Sequence, residues 1–123
     1  MLLKDFYILQ SLDKVTDSAY IAFISLNPAH EIFKAHFPGN PVTPGVCMMQ
    51  IIKEIIQHII NGPLTMISAD NAKFTALINP ELNPDLKLEL EITESADGVV
   101  KVKNTTFFEE TVALKMSCTY IRK

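Results

Sequence analysis

His36-Phe37-Pro38-Gly39-Asn40-Pro41-Val42-Thr43-Pro44-Gly45 runs without a break into Val46–Ile60, which carries apolar side chains at 46, 47, 48, 49, 51, 52, 55, 56, 59 and 60. The decapeptide predicts a stiff loop. Pro38 and Pro41 fix φ, and Gly39 relaxes one position. Thr43-Pro44 reads as a helix start, with a hydroxyl at the N-cap and proline at the first helical position. The helix should run from about Pro44 to Ile60, because Asn61-Gly62-Pro63 stops it. Its one polar stripe is Gln50, Lys53, Glu54, Gln57 and Asn61, at spacings of three and four. A helix this apolar has to be wrapped on most of its sides. The same segment also carries chemistry: an imidazole base beside the exposed N–H groups of a helix N-terminus suits binding and polarising a carbonyl.

Outward from the helix the chain reads as strands. Residues 6–15 hold a short strand around Phe6-Tyr7-Ile8-Leu9, and residues 19–26 a well-buried one that Asn27-Pro28 ends. A short helical turn is expected over Glu31 to Lys34. Residues 64–78 supply a strand pair or one long bent strand. Leu86 to Ile92 alternates apolar and charged, Asp97-Gly98 signals a hairpin into Val99–Thr106, and residues 112–121 alternate with Val112, Leu114, Met116, Cys118 and Tyr120 on one face. One apolar helix against one curled antiparallel sheet is an α+β arrangement, and residues 1–123 form one domain. With no second helical layer, such a sheet exposes an edge and apolar surface, which a second subunit would cover.

The 123 residues suffice for a real core, 48 % of them are hydrophobic, and the net charge is −3. No basic patch dense enough to track a phosphate backbone occurs, so nucleic acid is not an expected partner. Cys47 and Cys118 show no metal-binding spacing and are expected as buried core thiols. The start Met1-Leu2-Leu3-Lys4-Asp5 lacks the pattern of a signal peptide, and no run reaches the roughly 18–20 apolar residues that span a bilayer. A cytoplasmic protein with no membrane contact is the expectation, with neither metal nor other cofactor implied.

The decapeptide is similar to the signature of the bacterial 3-hydroxyacyl-[acyl-carrier-protein] dehydratases, enzymes of fatty acid biosynthesis with the hot-dog fold, in which a sheet wraps a long central helix. The resemblance extends through Leu12-Asp13-Lys14-Val15 and Asn27–His36, and downstream through Lys73-Phe74, Pro80 and Pro84-Asp85. It implies that His36 is the catalytic base and that Gly45 donates its backbone N–H to the thioester carbonyl. It implies an acyl tunnel between two subunits, and a second catalytic residue, a carboxylate, on the helix of the other subunit. That carboxylate position is Gln50 here, and the family's usual glutamine one turn later is Glu54. The two side-chain types are exchanged.

Dehydration removes a proton from C2 and hydroxide from C3. A neutral imidazole can take the first, and the helix N-terminus stabilises the enolate-like charge. The leaving hydroxyl needs a proton, which a carboxylic acid can give and a carboxamide cannot. Losing one acid–base group costs about 10²–10⁴ in rate. Three readings follow. Glu54 acts as substitute acid, although one turn is about 5.4 Å away along the helix. Alternatively, Gln50 orients the hydroxyl while water or His36 returns the proton. Or the chain binds acyl thioesters without full turnover, or lends His36 to a mixed dimer whose other subunit supplies the acid. A thioesterase on the same scaffold is a further alternative, with Gln50 placing a water.

Val42, Val46 and Phe37 are expected to shape the substrate pocket near the reacting carbon, and Met48 and Met49 to line either a tunnel or the core. His30 is expected in exposed loop and His58 on the helix's wet edge. Gln50 and Glu54 also fit a plain solvated stripe or a subunit interface. The expected partners are an acyl carrier protein or coenzyme A thioester and a second subunit, in a homodimer or higher oligomer. Carrier proteins are acidic, so Lys34, Lys73, Arg122 and Lys123 are candidates for docking, although Thr75 and Ala76 stand where the family often has basic residues.

Overall fold

A computed structural model describes residues 4–37 and 39–123. The first three residues and Pro38, one of the two prolines expected to stiffen the loop, lie outside the described residues. The element order is β1 (Tyr7–Lys14), β2 (Ala19–Leu26), α1 (Glu31–Ala35), α2 (Gly45–Ile60), β3 (Leu64–Phe74), β4 (Asp85–Glu94), β5 (Val99–Phe108) and β6 (Thr111–Arg122). All six strands make one antiparallel sheet in the order β1-β2-β4-β5-β6-β3. This is the α+β hot-dog architecture.

The alternation read in the sequence decides the buried face of each strand. Leu86, Leu88 and Leu90 on β4, Val100 and Val102 on β5, and Leu114, Met116, Cys118 and Tyr120 on β6 all turn inward. They meet Cys47, Met48, Ile51, Ile52, Ile55 and Ile56 of α2, so both cysteines are buried core thiols as expected. Burial raises both thiols above their ordinary range, and at Cys118 the charge of Asp70 adds to that rise. The helix stops where Asn61 takes the left-handed conformation and its N–H, with that of Gly62, donates to the Gln57 carbonyl. The Gln57 side chain accepts from Leu64 N at 2.8 Å and sets the entry to β3.

Two expectations are corrected here. The helix begins at Gly45 with Pro44 as its N-cap, and the Thr43 hydroxyl does not cap it: it is buried, with no hydrogen-bond partner among the described residues. Thr43 is held by its backbone, whose N–H donates to Ile78 O at 2.9 Å, and that anchor sets where the helix can start. His30 is not plain exposed loop. It caps α1, with Nδ1 accepting from Ile32 N at 3.1 Å, Nε2 3.0 Å from Lys4 O, and its ring edge-on to buried Phe6. Only the neutral tautomer with hydrogen on Nε2 satisfies both contacts. Residues 64–74 resolve to one strand, bent by register shifts between Met66 and Ser68 and between Asp70 and Lys73.

Candidate functional site

His36 stands at the C-terminal end of α1, where its backbone N–H donates to Ile32 O at 3.1 Å. The motif loop then turns back on itself. Phe37 and Asn40 exchange backbone hydrogen bonds, Gly39 adopts φ +75°, and Val42 N donates to His36 O at 2.8 Å. The loop therefore closes between His36 and Val42, three residues short of the helix. The imidazole is exposed and lies edge-on to the Phe37 ring.

The helix start is shaped to receive an acceptor. The first N–H satisfied inside α2 is that of Cys47, to Pro44 O at 3.0 Å. The N–H groups of Gly45 and Val46 precede it and have no acceptor within the helix. Gly45 is also a steric requirement: a Cβ there would stand 2.8 Å from the ring of Phe74, which leans over the helix start from the end of β3. Val46 and Phe37 are 64 % and 55 % exposed, so both offer apolar surface to something outside this chain. Val42 is half-buried, Met48 is fully buried in the core, and Met49 is half-buried against it.

Gln50 and Glu54 are not a loose solvated stripe. Gln50 Nε2 donates to Glu54 Oε2 at 3.0 Å, and the hydroxyl of Tyr7, on β1, donates to Glu54 Oε1 at 2.9 Å. Burial, then the hydrogen bond to Glu54 and the charge of that carboxylate, hold the Tyr7 phenol well above its usual range. It remains a donor at any working pH. Sequence reasoning missed Tyr7, whose partner lies 47 residues away and leaves no local signal. His36 and Gln50 share no hydrogen bond within one chain.

Five surface clefts are lined by residues other than His36, Gly45 and Gln50. One, of about 300 Å³, borders the motif loop at Phe33, Lys34, Phe37 and Pro41. Another, of about 500 Å³, lies on the outer face and gathers Lys73, Lys103 and Lys115. Arg122, expected as a docking cation, is instead paired with Glu94, its Nη2 donating to Glu94 Oε1 at 3.0 Å. Among the described residues, no group of histidine, cysteine and acidic side chains is arranged to hold a metal, and no helix is long and apolar enough to cross a membrane.

The model of the ApeI-like family, described as ApeI dehydratase, matches residues 12–113. Among curated proteins, 3-hydroxyacyl-[acyl-carrier-protein] dehydratase FabZ of Lactobacillus helveticus is 33 % identical over 98 residues, covering 74 % of this chain and 65 % of its own length. The FabZ of Alkaliphilus metalliredigens is 30 % identical over 95 residues, covering 72 % and 63 %. The chain thus spans just under two thirds of these relatives. Among solved structures, a chain of the dehydratase heterocomplex ApeI:P from Xenorhabdus doucetiae superposes with a TM-score of 0.69 at 18 % identity, covering 94 % of this chain and 97 % of that one. A hypothetical thioesterase protein with coenzyme A from Streptococcus pneumoniae gives 0.67 at 11 % identity, covering 95 % and 85 %. At these identities the likeness is one of fold.

Proposed function

Because the chain belongs to the ApeI dehydratase family, we infer that it is a hydro-lyase interconverting 3-hydroxyacyl and 2-enoyl thioesters, with His36 as base. The observation that carries this reading is the closed loop, in which the 2.8 Å bond from Val42 N to His36 O ties the His36 backbone to the segment that leads into the start of α2. The thioester oxygen docks on the Gly45 N–H, where the helix end favours developing negative charge. His36 takes the C2 proton, the C2=C3 bond forms as the C3–O bond breaks, and the imidazolium gives its proton to the departing oxygen. Water leaves and the imidazole is neutral again. Phe37, Val42 and Val46 flank the reacting carbon. The site is completed by a second subunit, which contributes the Gln50 position. Lys34, Lys73 and Lys123 are the cations left for a carrier protein or coenzyme A, in the cytoplasm.

Glu54 accepts hydrogen bonds on both oxygens, which favours Gln50, rather than Glu54, as the group facing the leaving hydroxyl. The test is to incubate the purified protein with a 3-hydroxyacyl thioester and with its enoyl counterpart. Interconversion is expected, and His36→Ala should abolish it. Free thiol release in place of interconversion would overturn the reading in favour of a thioesterase.

One observation favours a second reading. The acid position holds Gln50, and a structurally similar chain comes from a dehydratase heterocomplex. As one half of a mixed dimer, this chain would lend His36 to a subunit that brings the carboxylate. Under that reading the protein alone is nearly inactive, and Gln50→Glu restores turnover by about 10²-fold or more.

A further inference from the structure

Among the described residues, Gln50 is held from one side only. Its amide nitrogen is bound to Glu54 at 3.0 Å, and the other Glu54 oxygen is bound by the Tyr7 hydroxyl at 2.9 Å. A carboxylate accepting on both oxygens has no proton to give, so the Gln50 group that faces it must be the NH₂. The carbonyl oxygen of the same amide then points elsewhere. A glutamine without such a neighbour can turn over and present either donor or acceptor; this one cannot. Tyr7 does not share the helix. It sits on β1, an edge strand of the sheet, and braces Glu54 from across the fold.

We propose that Tyr7 and Glu54 are positioning residues that lock the Gln50 carboxamide with its carbonyl oxygen outward, so that the site selects thioesters carrying a hydroxyl at C3 over those carrying a 3-oxo group. A 3-hydroxyl can donate to that oxygen. A ketone has nothing to donate and brings two acceptors together, and a site built to pair a hydroxyl rejects the analogue lacking it. The same contact turns the hydroxyl hydrogen towards Gln50, which leaves an oxygen lone pair for the proton returned by His36. The inference rests on the proposed function for the identity of the ligand and for Gln50 facing its C3 substituent.

The test uses His36→Ala as the parent, so that ligands bind without turnover, with 3-hydroxybutyryl-coenzyme A and acetoacetyl-coenzyme A as probes. The parent should bind the hydroxy compound about tenfold or more tighter. Adding Glu54→Gln replaces an acceptor-only partner by one that tolerates either amide orientation, and the preference should fall to within about threefold. Adding Tyr7→Phe should give an intermediate ratio, and it decides the matter should Glu54→Gln fail to fold. A merely structural role would weaken both ligands alike and leave the ratio unchanged. An unchanged ratio in Tyr7→Phe and Glu54→Gln overturns the proposal, as does a parent that prefers neither ligand. Turnover by the native chain is read separately. If that is absent while the preference and its collapse are present, the catalytic reading fails and the positioning role stands. If turnover is present and the ratio never moves, the reverse holds.

Discussion

At the scale of single residues, Gly45 separates stability from activity. Its φ is ordinary and it lies inside a helix, so alanine there is conformationally favourable by about 0.5–1 kcal/mol. The cost is local, since the new methyl would drive the half-exposed Phe74 ring off the helix start, where it now leaves 2.8 Å. Gly45→Ala should shift Tm by no more than a few degrees while cutting turnover by on the order of 10²-fold; calorimetry and a rate assay on one sample decide this. Thr43 makes the opposite case. Its hydroxyl is buried with no partner among the described residues, and an isosteric methyl removes an unmet polar group. Thr43→Val should leave the protein as stable or up to about 1 kcal/mol more stable in urea titration. A loss of that size would show that the hydroxyl finds a partner in the assembled protein. Both residues stand in a segment whose motif is local and so readable without coordinates, although the cap that Thr43 signals does not form. Gln50 and Glu54 are legible as an i, i+4 pair. Tyr7 is not, because nothing in its neighbourhood distinguishes it from any half-buried strand tyrosine.

At the scale of elements, α2 and the β4–β5 hairpin follow directly from periodicity and from their stop and turn residues. The alternation of Leu86 to Ile92 needs no tertiary information to choose its face. Strand β3 is harder. Its two register shifts interrupt the period of two that would announce a single strand, and its residues are mostly exposed. The same limit applies to the start of α2, where Thr43-Pro44 carries a capping signal that the Thr43–Ile78 backbone bond overrides. At the far end of the sheet, Arg122 on β6 joins Glu94 on β4 and reaches Ile60 O at the end of α2. The hydrogen bond from Arg122, with its charge, outweighs desolvation and holds the Glu94 carboxyl below its ordinary range. A carboxylate lowered by folding stabilises fully above its unfolded value, and that contribution is lost as pH falls through the folded one. Glu94→Gln should therefore lower Tm by a few degrees at most at neutral pH. The difference should shrink towards zero below about pH 4, as read by calorimetry across that range.

At the scale of the whole molecule, a single sheet wrapped on one helix leaves β1 and β3 as its edges. Phe74 on β3 stands 49 % exposed against the helix start, where Val46 is exposed as well. That surface lies next to the candidate site, which accords with a site shared between subunits. The outer face has a different character. Lys73 and Lys115 are paired in register across β3 and β6, with Lys103 lining the same cleft. None of the three takes part in an ion pair among the described residues, and like charges directly opposite destabilise a sheet. The consequence is a dependence on ionic strength that runs against the chain's net charge of −3. Cosolute anions should settle on this lysine trio, so that modest sodium sulfate protects against heat more than the same strength of sodium chloride. Lys115→Gln should raise Tm by about 1–3 °C in dilute buffer, with the gain fading near 0.5 M salt as screening shortens to a few ångströms.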